Sequence, residues 1–150
     1  MRRTALILGT VIAAWVAAAG AQQGEYRAVD SPFQEDFPLT INSDLKPMVE
    51  VEGVRWTRFG IYLKGDREIE PDKDNPVTVE FDVLNTGPEG VRVLVIALLE
   101  DVNGRPLERI ECDKVSANSE RLKESVQKFK ISGSVLQAVR RVYLFCELEH

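Results

Sequence analysis

Val77-Thr78-Val79-Glu80-Phe81-Asp82-Val83 alternates without a break: Val77, Val79, Phe81 and Val83 fall on one face and Thr78, Glu80 and Asp82 on the other. Successive side chains of a strand point to opposite sides, so this period of two predicts a half-buried β-strand. The stretch sets the reading of its neighbours. Downstream, Asn85-Thr86-Gly87-Pro88-Glu89-Gly90 is a dense turn signal. Beyond it Val91 to Leu99 is apolar on both faces apart from Arg92, the pattern of a central strand covered on both sides. Asn103-Gly104 then predicts a hairpin with a type I′ turn, which needs positive φ at both central residues. Pro106 has no N–H to donate, so the return strand Arg105 to Val115 is expected at a sheet edge.

Upstream of the opening stretch, Met48 to Glu52 alternates, and Val54, Trp56 and Phe59 to Leu63 extend the strand signal. Toward the other end, Ser116 to Ser125 reads as a polar loop and about Ser125 to Ile131 as a strand. Ser132-Gly133-Ser134 before Val135 to Ala138 suggests one Ser-capped helical turn. Val139 to Leu148 closes the series, with Val142, Leu144, Cys146 and Leu148 on one face and Tyr143 and Phe145 on the other. Six or seven short strands, turns between them and no long amphipathic helix predict an all-β fold. The expected architecture is a single antiparallel immunoglobulin-like β-sandwich over 48–150, with a small barrel as the alternative.

Ahead of this domain, residues 22–47 form a polar leader interrupted by Pro32, Pro38 and Pro47. Phe33, Phe37 and Leu39 stand out in it and are expected to pack on the domain as an edge segment. Residues 1–21 read as an export signal: Arg2-Arg3, an apolar run from Ala5 to Ala19, and small residues with cleavage after Ala21. The run is about 15 residues where a bilayer span needs about 20, which favours cleavage over an N-terminal membrane anchor. The expected location is secreted or periplasmic, with no stable membrane insertion after cleavage.

The released chain is the 150 residues less those 21, or 129, which is room for one domain. Without Arg2 and Arg3 it carries 17 basic and 24 acidic residues, a balance of −7. The charges are interspersed and form no basic stripe, which argues against nucleic acid as a partner.

Cys112 and Cys146 are the only cysteines, and in an exported chain they are a disulfide candidate. The loop of about 34 residues would contribute about 3 to 4 kcal/mol on the chain-entropy model. Two buried free thiols are the alternative. The pairing depends on strand order: Cys112 falls opposite about Val95, so a last strand on the other side of that central strand would hold the two Cα atoms about 9 to 10 Å apart. A disulfide tolerates about 7 Å at most.

The catalytic inventory is thin. His150 is the only His, which leaves a Ser or Cys nucleophile without a base, and Ser119 with Lys123 lies in a polar stretch. Asp66, Glu68, Glu70, Asp72 and Asp74 recur at every second position and make the best calcium candidate. Lacking the closing Glu of an EF-hand and interleaved with Arg67 and Lys73, they read better as a solvated charged loop. Asp101 to Gly104 holds a fragment of a calcium-loop pattern and reads better as the hairpin turn. Trp56 with Tyr62 is the pair a sugar-binding sandwich could use, against core packing as the plainer reading. No enzyme and no cofactor is expected.

Asn85-Thr86-Gly87, the apolar strand, then Leu98 to Gly104 and Leu107 resemble the FxLYD-type domains of bacterial extracytoplasmic proteins over about Val77 to Leu148, with Ile96 in the place of the Phe and Leu99 in that of the Tyr. The resemblance implies an immunoglobulin-like sandwich, an envelope location and no established activity. Together these readings point to an interaction module that contacts a protein or cell-envelope component through a sheet face or edge. A small-ligand or carbohydrate-binding domain is the alternative.

Overall fold

A computed structural model describes residues 25–150. The export signal expected over 1–21 and the expected cleavage after Ala21 fall outside the described residues.

The chain forms a β-sandwich of two sheets. The first contains β1 (Arg27–Val29), β3 (Val49–Val51), β4 (Val54–Leu63), β5 (Asp74–Asn85) and β9 (Arg121–Ser132), in the order β1-β3-β4-β5-β9. The second contains β2 (Phe33–Pro38), β10 (Arg141–Glu149), β6 (Val91–Glu100) and β7 (Pro106–Glu111), in the order β2-β10-β6-β7, while β8 (Val115–Ala117) pairs with β6 beyond β7. Only β1 and β3 run parallel; every other pair is antiparallel. One short helix, α1 (Gly133–Ala138), joins β9 to β10.

The alternation that opens the sequence reading drives this arrangement. Val77, Val79, Phe81 and Val83 are all buried against the second sheet's Val93, Val95, Ala97, Leu99, Val142, Leu144 and Cys146. Trp56, completely buried, stacks on Phe81 with ring centroids 5.6 Å apart and 22° between planes. Burying a side chain of this size contributes about 1.5 to 3 kcal/mol, so the strand is fixed by its inward face.

Ten strands replace the expected six or seven, for local reasons. The segment from Met48 to Leu63 is two strands, because Glu52 (φ 47°) and Gly53 (φ 83°) make a two-residue turn with positive φ at both positions, of the I′ kind. At Asn103-Gly104, where that turn was expected, only Gly104 is left-handed, at φ 77°. The Gly104 N–H donates to the Asp101 carbonyl and the Asp101 N–H to the Arg105 carbonyl, both at 3.0 Å, giving a three-residue loop with a bulge. The buried Asp101 carboxylate selects it by accepting from the N–H groups of Asn103 (2.8 Å) and Arg105 (3.0 Å). The expected loop 116–125 instead holds most of β8 and the first residues of β9. Ser132 precedes α1 but makes no side-chain cap, its hydroxyl lying instead 2.8 Å from that of Ser134.

The leader docks on the domain. Phe33 to Pro38 pair along β10, from Phe33 opposite Cys146 to Pro38 opposite Arg141, and Phe33 and Leu39 are buried. The set β4-β5-β9 facing β6-β10 matches the A-B-E and C-F neighbours of an immunoglobulin sandwich. The place beside F, filled in that fold by the following strand G, is taken here by β2.

Candidate interaction face

The two sheets differ in what they show to solvent. On the first, outward residues of β4 and β5 form a charge network: Arg58 donates to Asp82 through Nε at 2.7 Å and to Glu80 through Nη1 at 3.0 Å, and lies 3.6 Å from Asp44. The Asp82 contact, foremost, holds the guanidinium still more firmly charged than an ordinary Arg. The Tyr62 hydroxyl donates to Asp44, and its pKa is pushed up to about 12, first by burial and then by that bond. A Cβ on Gly60 would lie 2.6 Å from the Tyr62 ring, so any larger residue there displaces the ring that crosses the strand. The β4 and β5 part of this face is satisfied internally, while Leu122 and Val126 of β9 stand singly exposed beside it.

The second sheet presents the opposite. Leu94, Ile96 and Leu98 of β6 and Tyr143 and Phe145 of β10 point away from the core. None of the five belongs to the buried core or to the apolar residues packed against it. They are half-buried only because they shield one another, and Ile96, Leu98, Tyr143 and Phe145 with Arg109 line a shallow concavity of about 380 Å³. Among the described residues, nothing covers this face. The apolar run at Val91 to Leu99 thus has the two-sided composition of a central strand, but the structure covers one side. Large contiguous apolar patches on a folded surface mark interaction sites.

Its rim is polar. The Tyr143 hydroxyl donates to Gln34 Oε1 at 2.7 Å, Arg141 lies 3.7 Å from Asp36, and Arg109 lies 3.2 Å from Glu111. Glu100, across β6 from Arg141, is buried, and its pKa is raised by that burial and by the Asp36 carboxylate beside it.

The other candidates are placed as follows. Asp66, Glu68, Glu70, Asp72 and Asp74 are all exposed, and among the described residues no three His, Cys, Asp or Glu side chains converge into a metal site. In this loop Glu70 pairs with Lys73 at 2.6 Å, and Asn75 holds the backbone, its amide nitrogen donating to the carbonyls of Glu70 and Lys73. The disulfide candidate is corrected, since Cys112 and Cys146 are buried free thiols on either side of Val95. Burial pushes both thiols up to about 12. The sugar platform loses Trp56 to the core, and Tyr62 to Asp44. The Trp56 indole N–H makes no hydrogen bond and lies beside the Cys146 sulfur. Ser119 donates its hydroxyl to the Gly87 carbonyl at 2.6 Å, a turn contact. His150 lies 3.0 Å from Glu52 at the surface. No described helix is long and apolar enough to cross a membrane.

The outer face of the second sheet was missed as a site from the sequence. Its signal was present in the apolar residues on the second side of β6 together with Tyr143 and Phe145, which alternate out of phase with the core residues of β10.

No protein-family model matches the chain and no curated protein does. Among solved structures the chain is similar to Ptr ToxA of Pyrenophora tritici-repentis, described as an RGD-containing host-selective toxin, at 12% identity over 85% of this chain and 100% of that one, with a TM-score of 0.32.

Proposed function

We propose that this chain is a non-enzymatic extracytoplasmic interaction module that docks a protein or cell-envelope partner through the outer face of its second sheet. The observation that carries the reading is the row of five apolar side chains on that face, outside the core and uncovered among the described residues. The fold supplies a rigid platform for them. The export signal and the resemblance to FxLYD-type domains support an envelope setting, and the dispersed acidic charge favours a protein partner over nucleic acid.

The test is recovery of partners from the native envelope by the full chain and by two variants. Leu98→Glu, at the centre of the face, is expected to abolish specific recovery. Leu122→Glu, on the outer face of the first sheet, is expected to leave it intact. Equal recovery by both variants would overturn the reading, as would turnover of a substrate by the purified chain that one point substitution removes.

A further inference from the structure

We infer that the occupant of this face is a second copy of the chain, packed sheet to sheet about a two-fold axis that runs parallel to the strands between β10 and β6. The inference rests on the docking reading above and names its partner.

The argument is in the register. Outward-facing residues form rows across the second sheet, and a two-fold axis along the strands lays each row against its own reverse. One row reads Asp36, Tyr143, Leu98, Arg109. Reversed on itself it sets Asp36 against Arg109, and Tyr143 against Leu98, twice over. The next row sets Phe145 against Ile96, and Gln34 against Glu111.

At one end of the sheet Glu149 is paired in register with Arg92, so that end also meets its opposite charge, while at the other Arg141 lies beside the buried Glu100. Only the row of Glu147 and Leu94 sets a charge against an apolar side chain, and Glu147 is exposed at the rim. An axis turned across the strands through Phe145 and Ile96 would instead set Glu111 against Glu111. A crossing axis midway between the two rows sets Arg109 against Glu111 and Asp36 against Gln34, so the Asp36→Arg variant separates the two arrangements: only the axis along the strands sets Asp36 against Arg109.

Size and chemistry agree. At strand spacings of about 4.8 Å and rises of about 3.3 Å per residue, four strands give a patch about 15 to 20 Å across and 25 to 30 Å long. That is several hundred Å² per partner, near the lower limit for a specific pair. Its centre is aromatic and aliphatic and its rim carries Arg and carboxylates, the composition of a protein–protein interface. Two such faces pack about 10 Å apart, as the two sheets do within the sandwich.

The decisive experiment is sedimentation velocity of the chain from about 1 to several hundred micromolar at pH 7, a range that spans modest affinities. The wild type is expected to pass from monomer to dimer within it. Asp36→Arg and Arg109→Asp should each weaken the dimer about tenfold or more, because each sets like charges together. Combined in one chain they should restore it.

Asp36 and Arg109 each have a neighbour in the same chain, Arg141 and Glu111. Unchanged circular dichroism of each variant and a Leu98→Arg chain that stays monomeric therefore serve as controls. A wild type that remains monomeric throughout, or a double variant no better than the singles, overturns the second copy as occupant. The docking reading is tested separately by envelope recovery, so either can fall without the other.

Discussion

Cys112 and Cys146 approach Val95 from opposite sides: the Cys112 N–H donates to the Val95 carbonyl at 3.0 Å, and Cys146 is the register partner of Val95 on β10. Two strand spacings separate them, about 9 to 10 Å, beyond the reach of a disulfide. Intact mass should therefore be identical with and without reductant. With burial raising both thiols to about 12, a thiol reagent at pH 7 should label neither Cys in the folded chain and both in denaturant. Labelling of the native protein at the rate of a free thiol would contradict this arrangement.

Glu100 gives a pH dependence of unusual sign. Its folded pKa is raised by burial and by Asp36, so the native state holds this proton more tightly than the unfolded chain does. Stability from this group is complete below the ordinary Glu range and is lost as pH rises through the folded value. Glu100→Gln should remove the loss. In denaturant titrations from pH 3 to 8, the variant should gain on the wild type as pH increases; a constant difference would refute the assignment.

Gly60 and Tyr62 form one unit on the outer face of the first sheet. Gly60→Ala places a Cβ 2.6 Å from the Tyr62 ring, forcing the ring off Asp44 and costing about 1 to 3 kcal/mol. Adding Tyr62→Ala should return part of that loss, a coupling that a double-mutant cycle by chemical denaturation would read.

Removing residues 25–47 should be costly although they are polar and rich in proline. The deletion takes away Phe33 and Leu39, both buried, together with the pairing of β2 along β10. Two such side chains contribute about 3 to 6 kcal/mol. The shortened chain, with β10 as a bare edge, should unfold at lower denaturant and aggregate. Unchanged midpoint and solubility would contradict the placement.

These residues also show how far the sequence could be read. The strands β5, β6 and β10 were legible because their inward residues alternate without interruption, from Val77 to Val83 and from Val142 to Leu148. The Glu52-Gly53 turn was not, since Glu is a poor marker of left-handed backbone and the position is imposed by pairing of Val51 with Val54. The type of the Asn103-Gly104 turn depended on a buried carboxylate two residues earlier. Nothing local in Arg27 to Val29 announces a strand; its order comes from its neighbour β3. The interaction face was visible as excess apolar residues, but whether they were covered depended on what lies opposite, which composition does not record.

The place of β2 beside β10 has a consequence for assembly in time. Phe33 and Cys146 meet across the whole length of the fold, and a polypeptide is made and delivered from its N-terminal end. The second strand of the ten must wait, unpaired, for the last to arrive. Such distant pairing slows folding. Until β10 is present, Phe33 and Leu39 have no core to enter, and whatever holds the young chain must guard that strand longest.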